Sequence, residues 1–288
     1  MMQKKFEAVQ EALLKMGDPN PPLAITAVGG GSISEAYKVR TSEGTYFFKY
    51  KAEAPSNFFA MEKQGLDTLR QGYPRIPRVL AFDINWILME WIEPGRTKEK
   101  TAITLGHGLA QLHRTTAPYF GLKEDNVIGE LPQSNGWQES WVNFYREKRL
   151  QAQGEIAHRR GYLHGKRASR LYLLLDRLDQ WLDDPSISPA LLHGDLWSGN
   201  FITDQAGNPW LIDPAVYFGH REVDIAFTEL FGGFPPSFYA AYQEAFPLSK
   251  DYDDRKPLYQ LYYLLVHLNL FGEAYGARVD QILKRYVG

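Results

Sequence analysis

The densest chemistry in this chain lies in one short stretch, His193-Gly194-Asp195-Leu196-Trp197-Ser198-Gly199-Asn200, and in Ile212-Asp213-Pro214 a little further on. An Asp and an Asn stand five positions apart in a polar loop, and a second Asp follows an apolar segment. Phosphoryl transfer to a hydroxyl uses such a set. One carboxylate orients the attacking hydroxyl and takes its proton, while an amide oxygen and another carboxylate hold Mg²⁺ against the nucleotide phosphates. Asp195 is the candidate proton acceptor; its contribution would be chiefly alignment, because the reaction depends on positioning more than on a strong base. Asn200 and Asp213 are the candidate Mg²⁺ ligands, both offering hard oxygen atoms. A lone Gly-Asp is usually only a turn. The Asn at the fifth following position and the Asp beyond the hairpin favour the chemical reading.

Such a loop needs partners that hold the nucleotide, ATP in this reading. Gly29-Gly30-Gly31-Ser32 sits between two strand candidates, where free backbone N–H groups could bind phosphate; three glycines also make a plain flexible hairpin. Lys49 ends the run Phe47-Phe48-Lys49. In a strand it shares a face with Phe47 and could reach the α- and β-phosphates. Glu62, on the next helix, could form the ion pair that fixes that lysine. The backbone of Glu90, Trp91 and Ile92, where the last strand of the first region ends, could bond the adenine edge; an ordinary edge strand is the alternative. Trp197 could be structural, or its face could stack on the apolar side of a sugar. His267, on an aromatic helix with Tyr262 and Tyr263, is a core residue or a wall of a polyol pocket. Asp224, after His220-Arg221-Glu222, is placed to buttress the loop, and His113 reads as a structural histidine.

The elements that must position these residues divide the chain in two. Residues 4–16 carry Phe6, Val9, Leu13 and Leu14 at helical spacing and stop at Gly17. Strand patterns run through Ile25–Val28, Tyr37–Val39 and Thr45–Tyr50, a helix through residues 58–71, and two further strands meet at Asp83-Ile84-Asn85. After Pro94-Gly95 the pattern is helical: 101–116, 137–150, 167–182, 224–231, 236–246, 255–275 and 279–286. Residues 118–136 read as loop, and 201–212 as a hairpin. The fold class is therefore α+β, with a β-rich N-lobe over residues 1–92 and a helical C-lobe over 93–288.

Composition narrows the function. With 288 residues the chain is long enough for two packed lobes, and a net charge of −2 gives no reason to expect a nucleic-acid partner. It has no cysteine, which excludes disulfides, thiolate metal sites and a cysteine nucleophile. No apolar run reaches the length of a membrane span, and Met1-Met2-Gln3-Lys4-Lys5-Phe6 does not read as a signal peptide. A cytoplasmic protein is expected; nothing speaks to its oligomeric state.

These motifs resemble the fructosamine kinase, or ketoamine kinase, family over nearly the whole chain. The residues that carry the resemblance are Gly29 to Ser34, Phe47-Phe48-Lys49, Leu191 to Asn200, Ile212 to Ala215, Tyr217 to Ala226, Glu229 to Phe234, and the tail from Tyr259 through Gly272. Trp197 and the Gly219-His220-Arg221-Glu222 run separate it from the aminoglycoside and choline kinases that share the fold. The resemblance implies a protein-kinase-like fold of the aminoglycoside phosphotransferase and choline kinase type. It implies ATP-dependent phosphorylation of the sugar 3-hydroxyl in fructosamines or ribulosamines. The product is unstable and releases its amine, so glycated amines or proteins would be repaired. Asp195 would accept the proton, Lys49 contact phosphate, Glu90 to Ile92 form the nucleotide hinge, and Asn200 and Asp213 bind Mg²⁺. Many members carry a Cys in the glycine-rich loop. Here Ser32-Ile33 stands there, so thiol control should be absent. The alternatives are a kinase of the aminoglycoside or choline type with another hydroxyl acceptor, and a non-catalytic nucleotide-binding scaffold.

Overall fold

A period of two along one strand explains how the N-lobe is layered. In the computed structural model, which describes residues 2–29 and 34–288, β1 (Ala24–Val28), β2 (Glu35–Arg40), β3 (Thr45–Tyr50), β4 (Val79–Phe82) and β5 (Trp86–Glu90) form one antiparallel sheet in the order β1-β2-β3-β5-β4. Alternate residues of β3 and β5 face opposite sides. Phe48, Tyr50, Trp86 and Leu88 pack under α1 (Met2–Met16), against Val9, Ala12 and Leu13. Ile87 and Met89 face the other way, toward α2 (Phe58–Leu69), and belong to the core that continues into the C-lobe. Lys49, beside Ile87 and Ala36 in register, therefore points to that second side.

The chain crosses between lobes over residues 91–98. There Gly95 N–H donates to Thr203 O at 2.7 Å, and Pro94 bridges Asp204. A Cβ at Gly95 would lie 2.1 Å from Asp204 O, so only glycine fits this crossing.

The C-lobe begins with α3 (Glu99–Leu112). A hairpin of β6 (Asn126–Ile128) and β7 (Leu131–Gln133) follows, within the segment read as loop. The next helix starts at Trp141 rather than at 137, because Ser140 Oγ caps it by accepting Asn143 N–H. It also runs past residue 150, as α4 (Trp141–Phe144), a π-helical turn (Tyr145–Gln151) and α5 (Ala152–Arg159). Then come α6 (Gly165–Asp176) and the short α7 (Asp179–Leu182), β8 (Ala190–Leu192), β9 (Phe201–Thr203), β10 (Pro209–Leu211), β11 (Tyr217–Gly219), α8 (Glu222–Thr228) and α9 (Pro236–Ala245). The chain closes with α10 (Tyr252–Phe271) and α11 (Gly276–Val287). The central helix is α10; from Leu258 to Asn269 it is buried on most of its circumference, where apolar and aromatic residues face nearly every side. β9 pairs with β10, the expected hairpin, while β8 pairs with β11, a contact between segments far apart in sequence.

Candidate functional site

The loop between β8 and β9 is held from below before any ligand is considered. Gly194 takes φ +81°, and a Cβ there would lie 2.0 Å from Ala215 O, so the loop crosses tightly over residues 213–215. Asp224, in the first turn of α8, accepts the N–H groups of His193 (2.7 Å) and Gly194 (2.9 Å). Tyr263 of α10 donates its hydroxyl to Gly194 O at 2.9 Å. Asp224 is in turn 3.1 Å from His113 Nε2, whose Nδ1 is 2.8 Å from the Tyr242 hydroxyl, which also accepts from Arg221. Neutral His113 with its proton on Nε2 satisfies both bonds, and burial holds its pKa below the ordinary value. Asp224 thus has the buttressing place the sequence suggested. The run around it is equally internal: Glu222 is fully buried in a two-bond pair with Arg255, and His220 Nδ1 lies 2.7 Å from the Tyr259 hydroxyl.

On this floor the polar side chains converge. Ala215 N–H donates to His193 O at 2.9 Å and Ile212 N–H to Asn200 O at 3.1 Å, which zips the loop to the segment carrying Asp213. His193 Nε2 lies 3.0 Å from Ile212 O, and its Nδ1 accepts the Asp195 N–H at 3.2 Å, so this ring is neutral too. Asn200 Nδ2 donates to Asp195 O (2.7 Å) and Asp195 Oδ2 (2.9 Å). Burial pushes the Asp195 carboxyl well above the ordinary range; the bond from Asn200 opposes this, and the charges of Asp213 and Asp224 add to it. A raised carboxyl is a better proton acceptor than an ordinary one. Asp213 itself has φ +51°, the one such non-glycine among the described residues. Strain of this kind gathers where a side chain must be aimed.

From the N-lobe, Lys49 Nζ reaches down to Asp213 Oδ1 and is 2.8 Å from Glu62 Oε1. Burial works against its ammonium, but the two carboxylates outweigh it and hold its pKa above the usual lysine value. Two cavities meet at this trio. The larger, about 380 Å³, runs under the sheet past Gly29, Glu90, Trp91 and Ile92. The smaller, about 180 Å³, is lined by Asp195, Trp197 and Asn200. Lys49, Glu62 and Asp213 line both.

The structure therefore brings Lys49, Glu62, Asp195, Asn200 and Asp213 together, with Gly29 and the 90–92 segment on one side and Trp197 on the other. Trp197 is 43% exposed, and its indole lies over Gly199, where a Cβ would be 2.4 Å from the ring. Gly30, Gly31 and Ser32 lie outside the described residues. His267 is not brought to either cavity: its Nδ1 turns back to Tyr263 O at 2.8 Å, and its ring packs 4.6 Å from that of Phe231. The turn of α10 that faces the loop is the one carrying Tyr263. Unforeseen were Asn126, Val127 and Gly129, which wall the smaller cavity. A signal existed: Asn-Val-Ile and Leu-Pro-Gln flank Gly129-Glu130, a two-residue Gly-X hairpin turn.

Among the described residues no three His, Cys, Asp or Glu side chains could hold a metal by themselves. The oxygens of Asn200 and Asp213 fit Mg²⁺, which binds through one or two protein oxygens together with substrate phosphates. No helix among the described residues is long and apolar enough to cross a membrane.

The model of the fructosamine kinase family matches residues 1–288. A protein of Enterococcus faecium named as a probable ketoamine kinase is 42% identical, over 91% of this chain and 95% of its own. A chloroplastic protein-ribulosamine 3-kinase of Arabidopsis thaliana is 35% identical, over 98% and 88%. The crystal structure of a Thermobifida fusca protein given the name fructosamine-3-kinase superposes with a TM-score of 0.86 at 34% identity, covering 97% of this chain and 96% of that one. A choline kinase of Streptococcus pneumoniae, at 16% identity and a TM-score of 0.64 over 98% of both chains, shares the two-lobed kinase-like fold. The chain thus belongs to the fructosamine kinase family and is a phosphotransferase.

Proposed function

We propose that this protein transfers the γ-phosphoryl group of ATP to the 3-hydroxyl of the sugar in fructosamines or ribulosamines. One observation carries the reading: a larger and a smaller cavity share Lys49, Glu62 and Asp213, while Asp195 faces only the smaller. The nucleotide lies in the larger, with adenine against the backbone of Glu90 to Ile92 and the phosphates toward Gly29 and Lys49. The sugar lies in the smaller, against Trp197.

As the substrate oxygen bonds to phosphorus, the hydroxyl proton passes to the Asp195 carboxylate and the bond to ADP breaks. The Asn200 amide fixes that carboxylate in place. General-base help of this kind is worth about 10²–10⁴ in rate. Lys49 neutralises phosphate charge, held by Glu62. Mg²⁺ on Asn200 and Asp213 would supply charge stabilisation at the phosphates. The phosphorylated product releases its amine, so glycated amines or proteins are restored. The N-lobe over 1–92 serves the nucleotide and the C-lobe over 93–288 the acceptor, in the cytoplasm where ATP is available.

The test is a coupled assay of ATP consumption with Mg²⁺ against fructosyl-lysine, ribulosyl-lysine, kanamycin and choline, with phosphorus NMR of the product. Turnover confined to the two ketoamines, with phosphate on the 3-oxygen, is expected. A folded protein that phosphorylates only kanamycin or choline, or nothing, refutes the assignment.

A further inference from the structure

We infer that Arg149 is the positioning residue that sets the wall of the acceptor cavity and with it the affinity for the sugar. This rests on the smaller cavity being the acceptor site. Arg149 is fully buried, and among the described residues no carboxylate pairs with it. A buried guanidinium without a counter-ion is costly unless its donors and its face are both satisfied. Its Nη donors go to neutral groups, Nη1 to Ser134 O at 2.5 Å and Lys148 O at 2.9 Å and Nη2 to Asn135 Oδ1 at 2.8 Å, while the buried Nε has no hydrogen-bond partner among the described residues and leaves more of the cost to the ring contacts. Its face lies 3.8 Å from the Tyr217 ring centre and 4.6 Å from that of Phe144, whose electron-rich faces attract a cation.

Arg149 stands in the π-helical turn Tyr145–Gln151, and Tyr145, Arg149 and Leu150 are its buried residues. Such turns are uncommon and are frequently found at functional sites. What the arginine holds here is the strand pair at 126–133. From Asn135 the bonds continue through its Nδ2 to Asn126 Oδ1 at 2.9 Å, which also accepts from Gln133 Nε2 at 2.8 Å. Gln133 donates to Ala215 O at 3.1 Å and accepts the Tyr262 hydroxyl at 2.6 Å. Asn126, Val127 and Gly129 of the hairpin, and Ala215 to which Gln133 is bonded, line the smaller cavity; none of them lines the larger. Arg149 touches neither cavity, so it acts through the hairpin that it bonds and through Tyr217, on which it stacks. Its loss should move acceptor affinity and leave the nucleotide alone.

The variants are Arg149→Lys and Arg149→Met. Lysine keeps the charge but lacks the planar fork that reaches Ser134 and Asn135 while stacking on Tyr217; methionine removes charge and donors with little change of volume. Each is assayed for kcat and for KM toward fructosyl-lysine and toward ATP. Backbone amide exchange over residues 124–136 and 190–200 is followed in parallel. The expected result is a rise in the ketoamine KM of about tenfold or more in Arg149→Met, less in Arg149→Lys, because hydrogen bonds from a charged donor are being lost. The ATP KM should stay within about twofold, as binding at the other site is untouched. Exchange should quicken at 124–136 and not at 190–200. If both KM values and kcat shift together in Arg149→Lys, or the ketoamine KM does not move, the inference is overturned. Arg149→Lys carries the test if Arg149→Met fails to fold. Absence of ketoamine turnover in the unaltered protein would refute the proposed function. The exchange pattern would still decide whether Arg149 anchors the hairpin, and unchanged exchange at 124–136 would refute it.

Discussion

The two cavities are built by opposite means. The larger is framed by regular elements: the five-stranded sheet, the α2 helix and the segment leaving β5. Lys49 and Glu62, which it shares with the smaller, pair with each other across a strand and a helix, and their positions follow from the periods of those elements. The smaller is framed by a three-residue strand pair, a tight loop and the start of α2. Its walls are set by buried polar bonds reaching as far as Arg149 and Tyr262. In the proposed assignment backbone regularity fixes the site for ATP. The acceptor site of the same assignment, by contrast, is hung on side-chain contacts, each of which a single substitution can reset.

This contrast can be broken where the two sites meet. Asp195→Asn should lower kcat by about 10²–10⁴ through loss of the proton acceptor, while ATP still binds in calorimetry; loss of ATP binding as well would show that the two sides are not separable. Lys49→Met should lower kcat/KM by about 10², the cost of removing one donor to developing charge, with the change falling on ATP and little on the ketoamine. Trp197→Ala should act the other way. Loss of a stacking face worth about 0.5–1.5 kcal/mol should raise the ketoamine KM roughly two- to twelvefold and leave ATP unchanged. Equal loss of both affinities would return Trp197 to a structural role.

The smallest effect concerns the floor beneath the loop. His113 and His220 are buried and neutral, each held below the ordinary value of 6.5 by burial; the Asp224 carboxylate opposes this at His113, while nearby arginines add to it at His220. The unfolded chain binds protons at these rings near 6.5 and the folded chain does not, so stability rises with pH. It is complete above about 6.5 and falls as the pH drops below, by about 1.4 kcal/mol per ring for each pH unit until the folded value is reached. Urea midpoints at pH 7.5, 6.5 and 5.5 should show this, with a shallower fall in His220→Gln. A flat profile would mean that these rings are not the neutral props of the loop.

How much of this could be read beforehand follows the same division. Lys49 was legible because Phe47, Phe48 and Lys49 alternate in a strand, and Glu62 because helix and strand order placed it opposite. Asp195, Asn200 and Asp213 were legible from spacing. The hairpin at 126–133 was not, since three-residue strands carry too little alternation to stand out from loop, although Gly129-Glu130 marked its turn. The pairing of β8 with β11 joins residues 25 or more apart in sequence, beyond any local pattern. Arg149 was invisible because an arginine on a helix is by default solvated; only the widened turn and the rings of Phe144 and Tyr217 make an interior place for it. His267 shared its helix with Tyr263, but one turn of α10 separates the residue that touches the loop at 193–200 from one that does not.

The glycine at 95 bears on how the lobes move. Because the crossing chain is fastened to the β9–β10 turn at Gly95, a rocking of the N-lobe has only residues 91–94 in which to absorb the rotation. Hinges concentrate their dihedral changes in such short stretches. Those residues overlap the backbone proposed to receive adenine, so filling that place with a nucleotide would stiffen the pivot itself. Opening and closing would then answer to whether the base is present, and a bulkier residue at 95 would unfasten the pivot and lengthen its arm.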